Sequence, residues 1–116
     1  MPVSWHIRNI DWDGSWAFNK ITFKEFIDCV YPIIKQFEKM RWNEILGKNH
    51  HAVQKGSMIP KARRRLEDIG QDDVDELISF KCSGEKRLWG IRDRNIFKVL
   101  WWDPKHEVCP SNKKHT

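Results

Sequence analysis

From Asp75 onward the apolar residues stop recurring every three or four positions and begin to alternate, and this change of period constrains the fold more than any other feature. Three alternating runs, 77–82, 87–92 and 96–102, are separated by Ser83-Gly84-Glu85 and by Asp93-Arg94-Asn95. Both separators are rich in turn formers, and strands joined by such short turns lie beside one another in antiparallel order. The last third of the chain is therefore predicted to be a three-stranded meander. Pro104 and Pro110 interrupt the pattern after it, and 111–116 reads as a polar, flexible tail.

Upstream the periodicity is mixed. Val3, Trp5 and Ile7 alternate with Ser4, His6 and Arg8, which predicts a half-buried strand over 3–10, followed by a turn at 11–15. Thr22 with Glu25 three positions later carries the signature of a capping box. Phe26, Val30, Ile33, Phe37 and Met40 then follow at helical spacing, so a helix is expected over 23–39, kinked or broken near Pro32. Trp42, Ile45 and Leu46 make a further helical turn ending near Gly47, and 48–57 reads as a polar connection. Pro60 opens a last helix through Ala62, Leu66 and Ile69, stopped by Gly70. Its outward Arg63, Arg64 and Arg65 are balanced in sequence by Asp72, Asp73, Asp75 and Glu76.

The expected class is α+β, a single domain over 1–116 in β-α-α-β-β-β order. Its two layers would be helices on one face of the sheet, the other face open to a partner.

Charge points to the same segment. Residues 1–80 hold 12 Lys/Arg against 12 Asp/Glu, whereas 81–116 hold 9 against 4, so the net +5 lies wholly in the last third. A cationic face of this kind suits a polyanion or an acidic protein. Cys29, Cys82 and Cys109 are widely and irregularly spaced, and no secretory leader is legible, which leads to an expected cytoplasmic, reducing location. No apolar run approaches the roughly 20 residues that span a bilayer, so no membrane partner is expected.

The meander has a further likeness. Glu85-Lys86-Arg87-Leu88-Trp89-Gly90-Ile91-Arg92, then 97–102, then Asp103-Pro104-Lys105-His106-Glu107-Val108, resembles the arginine-bearing strand, the last strand and the following histidine segment of the RelE/ParE superfamily of bacterial toxins. The similar motifs cover about a quarter of the chain, and the rest agrees only in element order. The resemblance implies a ribonuclease acting on messenger RNA, often at the ribosome, and held inactive by a cognate antitoxin. Arg87 and Arg92 fall on its basic strand and His106 where several members place an acid/base or basic group. Many nuclease members carry a Tyr just beyond that position, where this chain has Val108 and Cys109. Other members of the superfamily act on gyrase instead.

Metal-independent RNA cleavage needs a base for the 2′-OH, cations for the phosphorane and an acid for the leaving 5′-oxygen. Arg87, Arg92, His106 and His115 are the candidate catalytic residues. Arg94, Lys98, Trp102, Lys105, Lys113 and Lys114 are the candidate RNA contacts, with Trp101 assigned to the core beside Phe97 and Val99. His50 and His51 carry less weight, and a metal site of His106, Cys109, His115 and Cys82 matches no strong zinc spacing. No cofactor is expected. Strict alternation puts Arg87 and Arg92 on opposite faces unless a bulge intervenes. A non-catalytic module binding nucleic acid or protein, or a gyrase-inhibiting toxin, would use the same basic surface.

Overall fold

The computed structural model describes residues 1–110. The meander forms as expected: β3 (Glu76–Lys81), β4 (Arg87–Asp93) and β5 (Ile96–Asp103) pair antiparallel in sequence order. Two further strands complete one five-stranded sheet ordered β1-β5-β4-β3-β2, with β1 (Ser4–His6) parallel to β5 and β2 (His50–Gln54) antiparallel to β3. β1 is shorter than the alternation suggests. Beyond it the chain still follows β5, the Asp11 amide donating to the Leu100 carbonyl and the Trp102 amide to the Trp16 carbonyl.

β2 corrects the expected element order, because it lies within 48–57, where the sequence predicts only a polar connection. It is an edge strand on which only Val53 is buried, so its five residues offer no repeated apolar position to mark them as extended. The two-layer arrangement is also corrected. Leu77 through Phe80 are all buried, with Ile78 and Phe80 entering one core and Leu77 another. A strand buried on both of its faces in this way belongs to a sheet covered on both sides.

On the first side lie α1 (Phe23–Glu25), a π turn (Phe26–Val30), α2 (Tyr31–Phe37) and α3 (Trp42–Ile45), whose Val30, Ile33, Phe37 and Trp42 pack with Phe80, Leu88 and Phe97. Thr22 and Glu25 form the reciprocal capping box. The expected kink near Pro32 takes the form of the π turn, which widens the ladder just before the residue that lacks an amide proton. Cys29 in that turn and Cys82 just beyond β3 are joined as a disulfide, a pairing 53 residues apart that their spacing does not announce. On the second side α4 (Pro60–Asp68) buries Ala62 and Leu66 against Leu77, Trp89, Leu100 and Trp101.

A bulge between β4 and β5 decides the fate of the tryptophans. Trp89 pairs with Trp101 but Gly90 pairs with Val99, leaving Leu100 as the extra residue. Leu100 and Trp101 therefore both enter the α4-side core, while Trp102 joins Phe97 and Val99 on the other. Trp101 is buried as expected, though in the other core from Phe97 and Val99, and the expected exposure of Trp102 is corrected. Trp102 is 1% exposed, so it does not stack on a base.

Candidate active site

Residues of one parity on the four central and edge strands share the α4 side of the sheet. His51, Ser79, Trp89 and Trp101 form one cross-strand row, and Lys81, Arg87 and Asp103 form the next. α4 covers the apolar end of this face. The polar end is left open as a cavity of about 410 Å³, within the range of small-ligand sites. β2 contributes His51 and Val53 to its wall, β3 contributes Ser79 and Lys81, and β4 contributes Arg87 and Trp89. His106, Cys109 and Pro110 close it from the segment after β5, with Lys48 and Asn49 at the approach to β2.

Arg87 is half-buried, and its Nη1 donates to the carbonyls of Gly84 (2.6 Å) and Lys86 (3.1 Å). Those bonds fix the guanidinium on the turn that starts β4. Burial lowers its pKa, and the nearby carboxylates of Asp103 and Glu85 act in the opposite sense. His106 stands at φ 56°, a left-handed conformation unusual for a residue with a side chain. Burial, and then the charge of Arg87, hold its imidazole below the ordinary histidine range, with Asp103 and Glu85 opposing and His51 adding to the depression. Below that range a histidine is neutral at pH 7 and serves as a proton acceptor. The Cys109 thiol is pushed up by burial, which keeps it protonated and a poor nucleophile.

Of the sequence-derived candidates, the structure brings Arg87 and His106 to this cavity, with Lys105 exposed on the same segment. Arg92 is not with them. It lies on the opposite face, its guanidinium 5.1 Å from the Trp42 ring centroid. The bulge falls between Trp89 and Gly90, and because the extra residue is on β5, β4 keeps its strict alternation from Arg87 to Arg92. Arg94 and Lys98 are remote too: they pair with Asp93 at the far end of β4, six residues or about 20 Å from Arg87. His115, Lys113 and Lys114 lie outside the described residues. Cys82 is bonded to Cys29, so it does not complete a metal set with His106 and Cys109.

Sequence reasoning undervalues His51 and misses Ser79 and Lys81. All three emerge once β2 is read as a strand in register with β3, for His51 then stands opposite Ser79 and on the face of Arg87. His50 faces the other way, edge-on to Phe37 and Phe80, and its Nδ1 accepts the Lys81 amide proton at 3.1 Å. Burial, then the charges of His51 and Arg87, lower its pKa, which suits a neutral packing histidine.

No protein-family model, no curated protein and no solved structure matches this chain. No helix among the described residues is long and apolar enough to cross a membrane.

Proposed function

We propose that the chain is a metal-independent RNA endonuclease of toxin type, with its active site in the cavity between β2 and the segment after β5. The observation that carries this reading is the convergence of Arg87, Lys81, His51 and His106 on one concave surface. These are the groups that phosphodiester cleavage by the RNA's own hydroxyl requires.

In this reading neutral His106 takes the proton from the 2′-OH, whose oxygen attacks the adjacent phosphorus. Arg87, seconded by Lys81, neutralises the charge that gathers on the non-bridging oxygens. His51, across the cavity, gives a proton to the departing 5′-oxygen. The products are a 2′,3′-cyclic phosphate and a free 5′-hydroxyl. Lys48 at the cavity and exposed Lys105 on the segment after β5 guide the strand. The resemblance of 85–92 and 97–108 to the RelE/ParE superfamily supports the assignment. It also implies a cytoplasmic site of action and an antitoxin partner that masks the basic surface.

The test is incubation of the purified protein with messenger RNA in chelator. We expect fragments ending in cyclic phosphate. Salt-sensitive RNA binding without turnover would instead establish a binding module, and growth arrest with intact RNA would favour an inhibitor of another enzyme.

A further inference from the structure

Asp103 is a fully buried carboxylate at the end of β5, and the cleavage scheme gives it no proton to carry. Both of its oxygens are engaged. Oδ1 accepts the Glu107 amide proton at 2.8 Å, and Oδ2 accepts from the Val108 amide at 3.0 Å and from Trp89 Nε1 at 3.1 Å. Two of these donors come directly after His106 in the chain. The third rises from the floor of the cavity, and Arg87 stands opposite Asp103 in the β4–β5 register.

We propose that Asp103 is the positioning residue of the cavity, its carboxylate holding the 103–108 turn so that His106 stays in its left-handed conformation facing the site that Arg87 lines. The inference rests on the nuclease reading for its consequence, though not for its geometry. A left-handed residue with a Cβ is disfavoured unless its surroundings fix it, and the bonds to the next two amides supply that fixation. The turn has outer anchors too: Glu107 Oε1 accepts from Trp16 Nε1 at 3.2 Å, and the Val108 carbonyl accepts from the Ile59 amide at 2.9 Å. Those anchors hold Glu107 and Val108 from outside the sheet. Asp103 ties the same two residues back to β5, at the position opposite Arg87.

Asp103 also answers the local charge. The groups around His106 are Arg87 and Glu85 from β4 and its approach, His51 from β2 and Lys81 from β3, with Asp103 itself from β5. Asparagine at 103 would retain the shape, remove the negative charge and turn an amide NH₂ toward at least one of the three donors.

The experiment is a proton NMR titration of the His106 imidazole in wild type and Asp103→Asn, beside the pH profile of RNA cleavage. We expect the His106 titration to move to lower pH in the variant. The acid limb of the cleavage profile should move with it, with kcat reduced more than KM. A His106 curve superimposable on wild type would overturn the proposal. The titration involves no RNA, so a shifted His106 in a protein that fails to cleave would refute the nuclease reading and leave the positioning role standing. Should Asp103→Asn not fold, hydrogen exchange in wild type decides: the Glu107 and Val108 amides should be protected despite lying in a turn, and rapid exchange at both contradicts the proposal.

Discussion

His106 and His50 both sit where burial disfavours the imidazolium, and this has consequences for stability as well as chemistry. Each binds its proton less readily folded than unfolded. Their contribution is therefore complete above the unfolded histidine value of about 6.5 and is lost progressively as pH falls toward the lower folded values. Melting temperature should fall between pH 7.5 and pH 5, and His106→Ala should flatten part of that slope. A melting temperature independent of pH over this range would show that neither imidazole is held neutral. On the side of the sheet away from the cavity, Gly90 is a packing requirement rather than a turn. A Cβ there would lie 2.6 Å from the Lys98 carbonyl oxygen and collide with the Phe97 ring. Gly90→Ala should cost about 1–3 kcal/mol in denaturant unfolding, as overpacked cores do.

Between elements, the decisive tie is one that sequence neighbours do not suggest. Arg65 on α4 does not use the acids at 72–76; its Nε and Nη2 both donate to buried Asp11, at 2.8 Å each. Asp11 also accepts from the Asp13 amide and from Trp101 Nε1. Burial alone would raise its pKa, but Arg65 and these two donors outweigh that effect and hold the carboxyl below its usual range. Arg65→Ala would leave that carboxylate buried with one charged partner lost, and we expect a loss of about 2–3 kcal/mol, read from urea melts. A near-neutral result would mean that water replaces the guanidinium. The elements legible in the sequence were those with repeated apolar positions: the meander, the capped helix and α4. β2 was not, since an edge strand with one inward apolar residue leaves no period to detect. The covering of both sheet faces was not legible either: Ser79 interrupts the apolar residues of 77–80, the run reads as alternating, and the charge of the meander suggested an open face.

On the scale of the whole molecule, the basic last third is not one surface. The sheet divides it into a cavity group around Arg87 and His106, an opposite-face Arg92 and a distal cluster of Arg94 and Lys98 with Asp93. Alternation along β4 was enough to foresee the first separation. The cavity's other half was hidden because His51 lies on the unrecognised strand, and because no local pattern tells that α4 covers only the apolar end of its face. The division makes the central claim measurable through paired variants. Arg87→Ala and Arg92→Ala each remove one guanidinium from the same strand, and their initial rates of RNA cleavage in chelator should diverge. We expect Arg87→Ala to lose about 100-fold or more, the usual effect of removing a group that stabilises transition-state charge, and Arg92→Ala to stay near wild type. Equal rates for the two variants, or a larger loss at Arg92, would contradict a site in the cavity.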